Sequence, residues 1–258
     1  MPSVLTLLTD FGWQDVYVGV MKGVIAGINP DLQVIDLTHE IPPQNISAGR
    51  FCLLNAYSYF PERTVHVAVV DPGVGSKRRG VAIEFAGGFL VGPDNGLFSG
   101  ILSQSSILAA VELTNSDYWL SRNPSQTFHG RDIFAPVGAH LASGVPLNQM
   151  GKSINPASLV SLPLPQLQIT ETTITGCIQY IDHFGNLITN IPAEMIKQSW
   201  LVKVKETVMA IAQTYSEVEQ GTVVALAGSH NWLEIAVNQG NARKKLELDW
   251  GDPITIFK

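Results

Sequence analysis

The chain has 258 residues, 45% of them hydrophobic and 15% charged, with a formal net charge of −6. That length and apolar content supply a sizeable core for one large domain or two smaller ones, and the acidic balance argues against a nucleic-acid binder, which needs a basic face. Cys52 and Cys177 lie far apart in apolar segments and read as core thiols of a reduced, cytoplasmic protein. The N-terminus has no basic run of a secretory signal. The long charge-free stretches, Ile133–Gly151 and Ile154–Thr170, contain Pro, Gly, Asn and Ser, so no membrane span is expected.

Ser3 to Leu8 reads as a buried strand that ends at Thr9-Asp10-Phe11-Gly12. A helix follows from about Asp15 to Ile28, with Tyr17, Val20, Met21, Val24 and Ile28 on one face, and Asn29-Pro30 stops it. Gln33 to Leu37 is a short strand ending at Thr38-His39-Glu40, and Ser47 to Tyr59 a second helix. The apolar run Val65 to Val70 then leads into Asp71-Pro72-Gly73-Val74-Gly75-Ser76-Lys77-Arg78-Arg79. Val81–Phe85 and Phe89–Val91 flank Gly87-Gly88 as a hairpin, and the second run ends in Gly92-Pro93-Asp94-Asn95-Gly96. Ile107 to Leu113 is a further strand. Thr127-Phe128-His129-Gly130-Arg131-Asp132 precedes an apolar helix from about Ile133 to Ala142, closed by Ser143-Gly144.

Alternating strands and helices predict an α/β domain over residues 1–154, a mostly parallel sheet flanked by helices. Strand exits at Asp10, His39, Asp71 and Asn95 then line one edge, where such sheets bind ligands. Residues 155–170, with Pro156, Pro163 and Pro165, read as a connector. Residues 171–258 turn to a β pattern: Thr172–Ile181, Leu201–Met209, Thr222–Leu226, Leu233–Val237 and Ile254–Phe257, with one short helix at about Ala193 to Trp200. Their spacing predicts a smaller antiparallel β-barrel-like domain.

Asp71 stands at the end of a buried strand, and the glycines after it let the chain bring Arg78 or Arg79 back toward it. His129, in a Gly-flanked loop, supplies an imidazole that a carboxylate can orient. An arginine beside the pair favours the ionised acid and stabilises a nascent hydroxide. A metal site built from Asp10, His39, Asp71, Asp94 and His129 is the rival use, but no His-Glu-x-x-His, His-x-His or cysteine pair supports it. The Gly73-to-Lys77 segment lacks phosphate-loop spacing, and there is no Gly-x-Ser-x-Gly elbow. In the second domain, Asp182-His183-Phe184-Gly185-Asn186 offers a charge, a π-face and an amide, and so does the stretch from Gly228 to Asn238 in part.

Six motifs in order resemble the S-adenosyl-L-methionine (SAM) hydrolase family, the SAM hydroxide adenosyltransferases, relatives of fluorinase and chlorinase. They are Thr9–Gly12, Val70–Gly75, Gly92–Gly96, Phe128–Asp132, Asp182–Asn186 and Leu233–Asn238, spread over nearly the whole chain. The resemblance implies hydrolysis of SAM to adenosine and L-methionine, with Asp71, Arg78 (or Arg79) and His129 holding the attacking water. It implies Asp10 on the ribose and Asp182 on the methionine ammonium. Phe184, Asn186, Ser229, Glu234 and Val237 are then on the adenine side. It further implies no metal or organic cofactor, and a homotrimer with sites between subunits. The alternatives are a halide-using relative and a non-catalytic SAM or adenosine sensor. The halogenases carry an aromatic residue at the position of Asp71 and an insertion after the arginines, and fluorinase a serine at that of Gly130. Those differences favour water over halide.

Overall fold

The computed structural model describes residues 4–163, 165–197 and 199–258. The chain divides into two compact units, Met1–Leu162 and Pro163–Lys258. The first contains β1 (Val4–Thr9), α1 (Tyr17–Ile28), β2 (Gln33–Thr38), α2 (Ile46–Ala56), β3 (Thr64–Val69), β4 (Gly80–Phe85) and β5 (Gly88–Pro93), then α3 (Ser99–Leu102), β6 (Ile107–Leu113), α4 (Ala135–Ala142) and β7 (Gly151–Ser153). The sheet order is β2-β1-β3-β5-β4-β6-β7.

The sheet is mixed. The β2, β1, β3 and β5 strands run parallel, whereas β4, β6 and β7 join by antiparallel pairings. The reversal starts at the expected Gly87-Gly88 hairpin. Gly88 has φ +148°, and a Cβ there would lie 2.3 Å from the Thr64 carbonyl, so only glycine lets β5 turn in against β3.

Strands buried on both faces read as continuous apolar runs, and every residue of β3 is buried. On one face α1, α4 and Phe134 just before α4 pack onto Leu5, Leu7, Val65 and Val67, with Met21 and Ile25 from α1 and Val137 and Ala139 from α4. Gly138 sits so near β3 that a Cβ would come within 2.4 Å of Val67 Cγ2. Each large apolar side chain buried this way contributes about 1.5–3 kcal/mol before the entropy of ordering is subtracted. His66 interrupts the apolar run. Its Nδ1 lies 2.8 Å from Thr6 Oγ1, and burial pushes its pKa down to about 4.

All four parallel strands end at the same edge, which places Asp10, His39, Asp71 and Asn95 on one rim. The segment after β7 stays with this unit. Arg79 donates to Ser158 Oγ (3.1 Å) and to the Ser158 carbonyl (2.6 Å), and Asp94 accepts from the Val160 N–H (2.8 Å).

The second unit contains β8 (Gln168–Ile169), β9 (Thr173–Ile181), β10 (Leu187–Pro192), β11 (Leu201–Val204), β12 (Thr207–Ala212), β13 (Val223–Ala227), β14 (Trp232–Val237), α5 (Ala242–Leu246) and β15 (Pro253–Phe257). The order β10-β14-β13-β12-β11-β15-β9 closes through a β9–β10 pairing into a barrel of seven strands, with β8 added on β9. All neighbours are antiparallel except β12 and β13. Ile178, Leu187, Ile191, Val202, Val204, Leu233, Ile235, Ile254 and Ile256 fill it. Closure leaves the barrel strands no free edge.

Three details differ from the sequence reading. Leu201–Met209 is two strands of a hairpin, because Lys205 turns the chain at φ +50° and Val204 pairs with Thr207. The stretch after Asn186 is strand β10. The short helix expected at 193–200 is a single 3-10 turn, Ala193–Met195, and Gln198 lies outside the described residues.

Candidate functional site

A cleft of about 410 Å³ opens at the carboxyl edge of the first sheet, lined among others by Asp10, Phe11, Tyr17, Gln44, Asp71, Val74, Phe128, His129 and Gly130. Asp71 lies two residues past the end of β3. The Gly73–Gly75 turn folds back tightly: Gly75 has φ +76°, and a Cβ there would come 2.4 Å from the Gln126 carbonyl. This return brings Arg78 onto Asp71, with Nε 2.9 Å from Oδ1 and 3.0 Å from Oδ2 and a terminal nitrogen on Oδ2. The pair is nearly dry, with side-chain exposures of 11% and 5%.

The same Arg78 nitrogen lies 2.7 Å from His129 Nδ1. A guanidinium has no acceptor atom, so it donates, and Nδ1 must carry the free lone pair. His129 is therefore the neutral tautomer with its proton on Nε2. Burial first, and the Arg78 charge second, hold its pKa below the ordinary histidine value, which agrees with that state. Among the described residues no protein group partners Nε2–H.

His129 is delivered by an unusual turn. Gly130–Phe134 is π-helical and runs straight into α4, a feature enriched at functional sites. Just inside it, Asp132 takes the Arg131 guanidinium (2.9 Å) and the Ser125 N–H (2.7 Å). Burial opposes the Asp132 charge, but these bonds keep its pKa low. Phe11, Tyr17 and Phe128 form the apolar wall, with ring centroids 5.2–5.9 Å apart and edge-to-face.

Asp10 enters from the end of β1 and accepts from the Gln44 N–H at 2.7 Å. Burial raises its pKa, the Gln44 bond lowers it, and the facing Asp71 charge raises it further. Gln44 adopts φ +65°, rare for a residue other than glycine and stored strain at the cleft rim.

The other candidates from the first unit separate. Arg79 belongs to Asp94 (Nε to Oδ2 2.9 Å), and the arginine that reaches Asp71 is Arg78. His39 is fully buried and bonded to Thr9 and Asp36. Asn95 holds the Val70 carbonyl at 2.8 Å. Among the described residues no three His, Cys, Asp or Glu side chains form a metal-holding group.

The second unit carries its own pocket of about 370 Å³, lined by Phe184, Asn186, Tyr215, Val237, Gln239 and Gly240. Phe184 is 71% exposed, an unusual state for phenylalanine and suited to stacking. Asp182 sits behind Asn186, taking its N–H (2.8 Å) and its amide Nδ2 (2.9 Å), which fixes which side of the amide is oxygen. Glu234 is buried and accepts from Tyr215 OH at 2.6 Å, with His230 Nε2 at 3.1 Å. Burial and that carboxylate push the Tyr215 pKa up. Glu234 thus anchors Tyr215 instead of lining the pocket, and Ser229 is exposed outside the lining. Tyr215 and Gln44 went unread in the sequence. The Thr214-x-x-Glu217 capping box, present in the structure, was the one signal near Tyr215.

Two family models match the chain: the SAM hydroxide adenosyltransferase N-terminal domain over residues 5–151 and the corresponding C-terminal domain over residues 176–255. The chain belongs to the SAM hydroxide adenosyltransferase family. A (R)-S-adenosyl-L-methionine hydrolase of Salinispora arenicola is 40% identical over 256 residues, covering 98% of this chain and 97% of that protein. A fluorinase of Actinopolyspora mzabensis is 26% identical over 291 residues, with 99% and 97% covered. A crystal structure of a Thermotoga maritima protein superposes with a TM-score of 0.92 at 35% identity, covering 98% of this chain and all of that one. Gly130 is tightly set. A Cβ would meet Met21 Sδ and the Phe11 ring at 3.3 Å.

Proposed function

We propose that this protein hydrolyses S-adenosyl-L-methionine to adenosine and L-methionine by attack of water on the ribose C5′. The carrying observation is Arg78, which bridges Asp71 and His129 on the floor of the cleft. Water needs an acceptor for its proton and a fixed line of approach to the C–S bond. In this geometry His129 Nδ1 is already occupied by Arg78, so the imidazole donates through Nε2–H and Asp71 is the proton acceptor. The leaving group is methionine, a neutral thioether departing from a sulfonium, so no general acid is required. Hydroxide-like charge and sulfonium charge cancel in the transition state, which a dry, aromatic-walled cleft favours. None of these steps calls for a Lewis acid, and we assign the enzyme no metal or organic cofactor.

Asp10 is assigned to the ribose hydroxyls, supported by its place in the cleft opposite Asp71. In the second unit, Phe184 stacks on the adenine, the Asn186 amide and the Val237 wall recognise it, and the outer lone pairs of Asp182 take the methionine ammonium. The relatives' name specifies the R configuration at sulfur, and we assign the same epimer to this chain. A homotrimer, with each site completed by a neighbour's second unit, fits a chain that carries reacting groups and recognition groups in separate units. A reduced cytoplasmic setting fits Cys177, a buried free thiol.

The test incubates purified enzyme with separated R and S epimers of SAM in ¹⁸O-water, with chloride and EDTA present. Adenosine labelled at the 5′-oxygen, formed from the R epimer, is the expected product. A 5′-chloro nucleoside, or bound and unchanged SAM, contradicts the reading. For the assembly, mixing Asp71→Asn with Asn186→Ala subunits should restore activity that neither has alone. Additive activity with no restoration would place each site within one chain.

A further inference from the structure

The turn that carries Asp10 is held from behind by a residue with no place in the cleft. His39 is fully buried at the exit of β2. Its carbonyl accepts the Gly12 N–H at 2.8 Å, and its Nδ1 lies 2.8 Å from Thr9 Oγ1. Thr9 Oγ1 in turn lies 3.2 Å from the Phe11 N–H. On the far side, His39 Nε2 is 3.0 Å from Asp36 Oδ1, and Lys22 Nζ is 2.6 Å from Asp36 Oδ2.

Proton directions follow from which atoms can only donate or only accept. The Phe11 N–H and the Lys22 ammonium only donate. The Asp36 carboxylate, kept ionised by bonds from His39 and Lys22 against its burial, only accepts. His39 therefore gives Nε2–H to Asp36, and in the neutral ring Nδ1 is the acceptor. Thr9 receives the Phe11 N–H and passes its own hydroxyl proton to that nitrogen. The Thr9 side chain before Asp10 and the Phe11 and Gly12 N–H groups after it are thus tied to His39, through Thr9 or directly.

We propose that His39 is a positioning residue for Asp10, acting through the Thr9 hydroxyl to hold the Thr9–Gly12 turn at the geometry that engages the ribose. This rests on the assignment of Asp10 to the ribose. The readout is the preference of the enzyme for adenosine over 2′,3′-dideoxyadenosine, measured as a ratio of dissociation constants, alongside kcat and KM for SAM. Asp10→Asn sets the reference by abolishing the preference.

Thr9→Val and His39→Gln, whose amide replaces Nε2 but not Nδ1, are expected to cut the preference about tenfold and raise KM by a similar factor, with kcat little changed. Thr9→Ser and His39→Asn, whose amide oxygen takes the place of Nδ1, should keep it. Thermal stability of all four is measured as well, because a purely structural role would lower affinity for both nucleosides equally and leave the ratio alone. That equal loss, or an unchanged ratio in Thr9→Val and His39→Gln while Asp10→Asn abolishes it, overturns the proposal. An unchanged ratio in Asp10→Asn removes the ribose assignment, and the positioning role falls with it.

Discussion

The two units spend their carboxylates in opposite ways. In the first, Asp71 and Asp10 face the same cleft, and burial, with a smaller push from the Asp71 charge, raises the Asp10 pKa above its ordinary value. In the second, Glu234 and Asp182 are turned onto their own neighbours, Tyr215 and Asn186, and the surface they leave is aromatic and amide. Charge kept at the surface of a partly dry cleft is costly and persists where it acts on a reacting atom. Charge turned inward fixes the direction of a neutral group, which suits recognition of a flat base. Under the proposed assignment, the first unit carries the reacting groups and the second recognises the base.

The largest test of that contrast is Asp71→Asn. Loss of the proton acceptor should lower kcat by about 10²–10⁴-fold, while adenosine affinity, read by calorimetry, stays within a few-fold. A comparable loss in affinity would mean that Asp71 recognises instead of reacting. Arg78→Lys keeps the charge but not the fork that reaches Asp71 and His129 together. A fall in kcat of about 10²-fold is expected there, by the same scale of acid–base effect.

On the recognition side, Phe184→Ala removes a stacking face worth about 1–3 kcal/mol, so KM should rise by roughly 5- to 150-fold with kcat nearly unchanged. A fall in kcat alone would erase the distinction between the units.

Acid sharpens the comparison further. Burial and Arg78 hold the His129 pKa below 6.5, so the midpoint of the acid limb of kcat/KM should lie below that pH, where Nδ1 takes a proton and can no longer accept from Arg78. An acid limb at or above 6.5 contradicts the tautomer. Stability follows the same sign at His66. Its folded pKa, about 4, lies below the unfolded value of 6.5, so stability is full above 6.5 and falls between 6.5 and about 4, by up to about 3 kcal/mol. Urea midpoints across that range check it. The smallest effect is Gly130→Ser, whose Cβ presses Met21 and Phe11 at 3.3 Å. Overpacking of about 1–3 kcal/mol is expected, with no chlorinated product gained.

Much of the first unit was legible because its chemistry is local in sequence. Asp71 and Arg78 share one glycine-rich loop, and strand exits at a parallel edge announce themselves as apolar runs ending in polar residues. What stayed hidden depends on contacts distant in sequence. No local pattern separates Arg78 from Arg79. The choice is made by Asp94, which claims Arg79 from the end of the β5 hairpin strand. The β11–β12 hairpin was unreadable because its turn uses Lys205-Glu206 with no glycine or asparagine to mark it. Tyr215 owes its place to a buried glutamate on β14, and Gln44 to a strained backbone angle that composition does not betray.

The π-helical turn at Gly130–Phe134 makes the spacing between loop and helix a matter of chain counting. Such a turn is an α-helix with a residue in excess. Deleting one residue there would let the helix continue regularly, with Phe134, Val137 and Leu141 still seated in the core. Everything ahead of the deletion would swing by about 100° around the helix axis. His129 would leave Arg78 while the body of the unit stayed folded. A length change of one is therefore expected to cost activity as losing the histidine would, with every original side chain outside the turn still in place.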